Sequence, residues 1–587
     1  MSNKGFFVSV ASVAVLCLFA ACEKTDDWII IDDGEDITIT TINHEEADDY
    51  VWDTNKVIHI AFDGNSISID STGATIDGSV VTIVSAGTYS FSGSLDEGQI
   101  VVNTEDEGTV RLILAGVTIH NSTTAPVYIQ SSDKTILILA DGSENTVTDG
   151  TAYVFETAGE EEPNAAIYSK SDLTIYGNGS LTVTGSYADG ITSKDGLIIK
   201  SGSVTVTSRD DGIRGKDYLV VRGGNITVKS GGDGFKSDND EDPLRGYISI
   251  EAGSVNITSG GDAITAQTNA IVTGGEINLI SGGGSGKTIA STLSAKAIKA
   301  ISAVVLDAGT FNINSADDAL HTNGAMEING GTFIISTADD GVHADTTLVI
   351  NGGSFKINKC YEGLESQAIT INLCDIYINA SDDAINAADG TATDGMGGGM
   401  GGGFGGGMGV GMTAGTCTFT MNGGYITVHS VGDGMDINGS VVMTGGTLIV
   451  DGPTVNDNGA VDYDGTFTIS GGFLLATGSA GMAQAPGTSS SQYSILMSFQ
   501  SIQAAKTLIH LQSSDGTSLF TYAPVKKYQS VAFSSSSLVK GTTYEIYSGG
   551  TVTGTSNDGL YMDGTYTAGT KTVNFTVSGI VTKVTGR

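Results

Sequence analysis

The chain is poor in positive charge, proline and tryptophan: 27 Lys and Arg stand against 66 Asp and Glu, with six prolines and two tryptophans in 587 residues. The formal charge of −39 repels a nucleic-acid backbone, because such binding depends on basic side chains that neutralise phosphates. Cations or neutral ligands suit this balance better. No CxxC pair, HExxH or GxSxG signature occurs, which removes the commonest zinc, metalloprotease and serine-nucleophile patterns. No long helical period runs through the body of the chain. What is abundant is Gly, 83 residues of it, together with Ser, Thr, Val and Ile, a composition that suits many short strands joined by tight turns. The length allows two to four domains or one long repetitive one.

Residues 1–21 hold Lys4 and an apolar run too short for a permanent membrane helix, which reads as a signal peptide. The phrase Phe19-Ala20-Ala21-Cys22 resembles a bacterial lipobox, making Cys22 the expected lipidation site; Phe19 departs from the usual Leu. The acidic stretch 22–50 reads as a tether, and the expected location is the surface of a Gram-negative cell, as an outer-membrane lipoprotein. Cys360, Cys374 and Cys417 fit no zinc spacing and are odd in number, so buried thiols are expected.

Acidic residues followed by Gly or Ala and an apolar residue recur at Asp189, Asp211, Asp233, Asp262, Asp318, Asp340, Glu362, Asp383 and Asp433. The steps are 22, 22, 29, 56, 22, 22, 21 and 50 residues, and a Gly follows 13 residues later at Gly202, Gly224, Gly275, Gly331, Gly353 and Gly446. The longer steps contain insertions: SDNDEDPLRG, SGGGSGKTIASTLSAKA, and the Gly/Met-rich loop 389–415. The 56-residue gap reads as two coils whose middle member has lost its acid. A period near 22 is too short for paired helices. Three short strands fit one repeat, such as 341–344, 348–350 and 354–357, which predicts an all-β, right-handed parallel β-helix whose coils bury their apolar faces by stacking. Alternation points Ile191, Ile213 and Phe235 inward. It points Thr192, Arg214, Lys236, His321, His343, Glu365 and Asn386 outward, with a second outward column through Lys194, Lys216 and Asp238.

Carboxylates stacked about 4.8 Å apart repel by about 0.9 kcal/mol even in water. Oxygen-rich turns suit Ca²⁺, which makes Asp210, Asp211, Asp233, Asp238, Asp240, Asp317, Asp318, Asp339, Asp340, Asp382 and Asp383 candidate ligands. The run around Asp233 to Asp242 is the densest candidate site. The competing expectation is that the Asp side chains cap turn amides without metal. His321 and His343 share a column on adjacent coils, but two ligands do not make a transition-metal site. The thioethers of the Gly/Met-rich loop invite copper; a low-complexity insertion is the simpler reading.

The runs YADGITSKDGLIIKSGSVTVTSRDDGIRGKDYLVVRGGNITVKSGGDGFKSDN, GTYSFSGSLDEGQIVVNTEDEGTVRLILAGVTIHNSTTAPVYIQSSDKTILILADGSENTVTDG and GAVDYDGTFTISGGFLLATGSAGMAQAP resemble the bacterial carbohydrate-binding β-helix family, over roughly residues 75 to 587. The resemblance implies a pectate-lyase-like fold, calcium, and binding of cellulose or pectin-type polysaccharide without lyase activity. Residues 51–163 then form the N-terminal cap and first coils, 164–490 the regular helix, and 491–587 a small antiparallel C-terminal domain. Three functions fit: a calcium-assisted binder using Arg214, Lys216, Lys236, His321, His343 and Asn386; a calcium-dependent lyase with Lys236 or Arg214 as base; or a structural adhesin.

Overall fold

The computed structural model describes residues 27–32, 37–155, 157, 159–388 and 415–586, with side chains from residue 43 onward. Cys22, the leader and nearly all of the Gly/Met-rich loop lie outside the described residues. Among those described, the only helix is a 3₁₀ turn at Thr54–Lys56, and one 47-stranded, mostly parallel sheet dominates. The all-β, β-helix-like expectation agrees with this.

Period-two alternation produces the strands. In Ser203–Ser208 and Asn225–Lys229, Val and Ile are buried while Ser203, Asn, Thr and Lys face out. Three series of strands follow one another. The first includes Ile213–Gly215 and Phe235–Ser237, the second Tyr218–Val221 and Tyr247–Ile250, the third Asn225–Lys229 and Ser254–Ser259. In the first series Ile191 pairs with Ile213, then Phe235, Ile264, Ile298, Leu320, Val342, Leu364 and Ile385 in unbroken parallel register. Identical inward positions therefore stack. In the third, Phe311, Phe333 and Phe355 lie over one another with ring centroids 4.5 and 4.4 Å apart and planes within 7°. Around 342–350 the first two series merge into one strand, Val342–Ile350, where separate strands were expected.

The turn into the third series explains the second sequence marker. Gly224 has φ +95°, and a Cβ there would meet the Gly202 carbonyl oxygen at 2.7 Å. Glycine removes both the left-handed penalty and the clash. Beside this turn runs a ladder the sequence reading missed: Asn329 donates to Asp307, Asn351 to Asn329, Asn372 to Asn351 and Asn422 to Asn372, at 2.7–2.9 Å.

The tether expectation needs correcting. Asp27–Asp32 and Ile37–Ile42 form an antiparallel pair, and residues 43–50 pack as a strap on the second series. Glu45 sits between Lys200 and Arg222, Asp49 meets Lys134 at 2.9 Å, and the His44 ring stacks on Tyr218 at 3.8 Å. Burial pushes Glu45 up, but the bonds from Lys200 and Tyr50 and the nearby cations overcome it and hold the carboxyl at about 2. Acidic composition had suggested a solvated linker; these acids instead answer basic side chains far along the chain.

At the other end the pairing turns antiparallel. Phe473–Gly478 pairs with Tyr528–Ser534, and a separate five-stranded antiparallel sheet runs from Leu560–Tyr561 through Ser518–Tyr522, Ile509–Ser513 and Thr543–Val552 to Tyr566–Thr576. Its core continues onto Ile449 and Leu475 of the last coils.

Phe333 is the middle ring of its stack, and its replacement by Ala leaves a void against both neighbours. The expected loss is about 3–5 kcal/mol, read by denaturant unfolding, with amides of the adjacent coils losing hydrogen-exchange protection first because solenoid stability passes between neighbours.

Candidate functional site

The recurring carboxylates stand where each third-series strand turns into the next first-series strand, and each Asp among them bonds forward to the next coil, whereas Glu362 accepts the Asn386 side-chain amide instead. Asp189 Oδ1 accepts the Asp211 N–H at 3.1 Å, Asp211 that of Asp233 at 2.9 Å, and Asp233 that of Asp262 at 2.9 Å. Farther along, Asp318 accepts from Asp340 and Asp340 from Glu362, both at 3.1 Å. Asp383 accepts from Asp433, which accepts from Gly459, both at 2.5 Å. One oxygen of each ladder Asp thus satisfies a turn amide that no strand partner reaches. This is the capping role, carried from coil to coil rather than within one turn.

The second oxygen and the charge need separate compensation, and most of it comes from the chain. Lys236 bridges Asp211 and Asp233 at 3.0 and 2.9 Å, and Lys299 lies 3.3 Å from Asp262. In the coil expected to lack its acid, Lys296 occupies the ladder position: its N–H donates to Asp262 Oδ1 at 2.7 Å. Its Nζ reaches Asp317 and Asp318, each at 2.7 Å. His321 Nδ1 meets Asp318 at 2.8 Å. His343 has Glu365 at 2.7 Å and Asp340 at 3.3 Å on Nδ1, and Asp345 at 3.0 Å on Nε2. Burial alone would lower its pKa, but the bonds from Asp340 and Glu365 push it up to about 11. It stands as an imidazolium, an internal cation with both ring nitrogens donating.

The first rung, Asp189, has only Thr192 and Asn164 on its second oxygen among the described residues, and burial and Asp211 push it up to about 7; the last rungs share the lack of a paired cation and gather three carboxylates together. The carboxylate oxygens of Asp383, Asp433 and Asp436 lie within 4.8 Å of one another, and no Lys, Arg or His is paired with them among the described residues. Burial and the surrounding acids push Asp383 and Asp433 up to about 7 and Asp436 to about 6. Asn386, the strand neighbour of Asp436, is only 9% exposed; its Nδ2 donates to Glu362, while Oδ1 is buried with no hydrogen-bond partner among the described residues. Three convergent carboxylates form an all-oxygen donor set, with an orphaned amide oxygen on the strand position paired with Asp436, and such a set fits a hard divalent cation such as Ca²⁺.

Other expected ligands do not converge. The SDNDED run is dispersed: Asp238 takes a two-point bond from Arg214 at 3.0 and 2.7 Å, Asn239 caps the amides of Glu241 and Asp242, Asp242 pairs with Arg245, and Asp240 is exposed. Asp210 flanks Asp211 at the surface. Asp339, pushed up to about 6 by burial and by Asp318, joins Asp317 and Asp318 in an acidic group that Lys296 already serves. Asp382 lies beside Asp383, half-buried. The outward strip also departs from expectation. Arg214, Lys236, His321 and His343 turn back onto carboxylates, Asn386 and Thr192 are buried, and Lys216 is half-buried. Thr192 donates to Asp189 at 3.0 Å. Sequence reading left Lys296 inside an insertion and placed Asp436 in the outward column without counting it as a ligand. Both could have been found: Lys296 stands two residues before Ile298, in the frame of the ladder, and Asp436 three after Asp433, where Lys236 follows Asp233.

Lys236→Met removes the ammonium shared by Asp211 and Asp233 and leaves two facing carboxylates. The expected destabilisation at neutral pH is about 1–4 kcal/mol, between exposed and buried ion pairs. Thermal unfolding measures it.

Several known proteins share part of this chain. A solved structure described as the polysaccharide lyase-like protein from C. thermocellum, a gadolinium derivative, aligns at 32% identity with a TM-score of 0.37, over 46% of this chain and 96% of that one. A carbohydrate-binding domain-containing protein of Acetivibrio thermocellus is 41% identical over 148 residues, 25% of this chain; the match spans about half, 52%, of that relative's length. Residues 77–341 match the sequence profile of the family described as carbohydrate-binding domain-containing protein, a span that includes the ladder from Asp189 to Asp340.

Proposed function

We propose that the chain is a non-catalytic polysaccharide-binding protein, a right-handed β-helix of about 22 residues per coil, assisted by calcium and anchored through Cys22 at the outer surface of a Gram-negative cell. Its ligands are of the cellulose or pectin type. The observation that carries the binding reading is the carbohydrate-binding family match over residues 77–341. The geometry argues against a lyase centred on the expected bases. A base must give up its proton at working pH, yet Asp211 and Asp233 outweigh burial and raise the Lys236 pKa above its ordinary value. Arg214 is held by Asp238. Incubating the chain with polygalacturonate and following the ultraviolet absorbance of unsaturated product tests this directly; release of product overturns the non-catalytic reading, and binding to no polysaccharide overturns the whole proposal.

Calcium belongs at the cation-poor end of the ladder. Asp383, Asp433, Asp436 and Asn386 would hold it, where it supplies the positive charge that Lys236, Lys296 and His343 supply elsewhere. The pH dependence has a definite sign. In the folded state without calcium, Asp383 and Asp433 titrate near 7 and Asp436 near 6, well above an unfolded carboxyl at about 4. The folded state therefore holds more protons in that window, and these acids contribute stability that is lost as pH rises from about 4 to about 7. Calcium replaces the protons, so the difference in Tm between calcium and chelator grows across the same window and vanishes below it. Asp383→Asn keeps an oxygen for the Asp433 N–H and abolishes that difference. A calcium effect independent of pH or retained in Asp383→Asn rules out this site.

A further inference from the structure

The acidic ladder is not where the molecule is best shaped to hold a glycan. The third-series strands Asn225–Lys229, Ser254–Ser259, Glu276–Ser281 and Thr310–Ser315 carry a groove of about 680 Å³ on their outer surface. Lys229, Asn256, Asn278, Ile280, Asn312 and Asn314 are among its lining residues. Parallel register stacks these side chains in rows: Thr227, Asn256, Asn278 and Asn312 form one, and Lys229, Thr258, Ile280 and Asn314 the next. Among the described residues no Asp or Glu lines the groove, and Lys229 is its only charge, on a chain whose formal net charge is −39.

The amides are ordered. Asn278 donates to Asn256 at 3.0 Å, and Asn256 to Ser254 at 3.2 Å. At the far edge the insertion leaves the coil through Gly282, Gly283 and Gly284, all at positive φ, and the Ser285 N–H donates to Asn314 Oδ1 at 2.7 Å. That bond occupies the acceptor of Asn314 and leaves its amide donors to point elsewhere. Ile280 is 40% exposed and supplies an apolar contact amid the polar rows. Amides donate and accept at once, as sugar hydroxyls do, and an exposed aliphatic suits the C–H face of a pyranose ring. A uronate chain would need a cation at each carboxylate, and only one is present.

We propose that this third-sheet groove is the polysaccharide site, that the glycan runs along the helix axis across four coils, about 14 Å, and that the preferred ligand is a neutral chain rather than a polyuronate. This rests on the carbohydrate-binding reading and adds the site and the substrate class. The chain from Glu23 to Arg587 is titrated with a soluble neutral β-glucan, a xylan and polygalacturonate, beside the double variant Asn312→Asp/Ile280→Asp, the single variant Asn312→Trp, and Lys356→Ala on the same sheet outside the groove. All the altered side chains face outward, and unchanged thermal unfolding verifies the fold; Asn312→Trp blocks the groove without adding charge should the double variant unfold. The expected result is binding of a neutral glycan, weakened about tenfold or more by both groove variants and unchanged by Lys356→Ala. Neutral-glycan binding that survives in folded groove variants overturns the site while leaving the carbohydrate-binding function in place. Binding of polygalacturonate alone overturns the substrate class, and binding of no polysaccharide by the unmodified chain overturns function and site together.

Discussion

The bond on which the helix depends is the one from each ladder Asp to the amide of the next coil. Strand pairing satisfies backbone groups within the sheets, but the turn between the third and first series would leave its N–H groups without partners in a buried corner. An Asp at that point reaches forward by one coil and supplies the acceptor, as Asp211 does for Asp233 and Asp318 for Asp340. An acceptor that carries charge binds more strongly than a neutral one, and stacking the charge on every coil creates the repulsion that the rest of the corner answers.

The answers differ along the axis and show several ways to neutralise one geometry. Lys236 spans two rungs, Lys296 replaces a rung, His343 takes a proton and joins three carboxylates, and Asn386 donates its amide to Glu362. At Asp383, Asp433 and Asp436 these devices run out. A site that breaks the local rule without an internal remedy is where an external ion makes physical sense, and the buried orphan oxygen of Asn386 lies next to that break.

Local pattern reveals much of this architecture because it is repetitive. The interval between Asp189, Asp211 and Asp233 marks one step of the stack, and the alternation in strands such as Ser203–Ser208 separates the faces. What stayed hidden depends on long-range pairing. Nothing local tells that Glu45 will meet Arg222, or that Asp238 and Asp242 of SDNDED will go to different partners, Arg214 and Arg245. Side-chain direction was equally hidden: period-two alternation places Lys236 outside, but only the stacked carboxylates on either side turn its ammonium back to the turn. The amide groove was missed for a related reason. Each of Asn256, Asn278 and Asn312 is unremarked within its own strand, and they form a row only when the coils are stacked.

The same stacking sorts chemistry by side. Each coil contributes one ladder residue to a corner, an acid in all but the coil of Lys296, one stretch of hydroxyls and amides to the third sheet, and, in some coils, one position beneath the N-terminal strap on the second. Repetition turns these into continuous strips: a charged corner, a neutral polar face and a covered flank. Charge on the corner is neutralised at contact distance by Lys236, Lys296 and His343, so its field weakens within about a Debye length, roughly 8–10 Å at physiological salt. The neutral rows of Asn and Thr are therefore able to meet a hydroxylated chain on hydrogen-bonding terms, even though the protein as a whole is strongly acidic. Net charge describes how the molecule meets polyanions at long range, while the third sheet sets what it can hold in contact; in a solenoid the two properties reside on different sides of every coil.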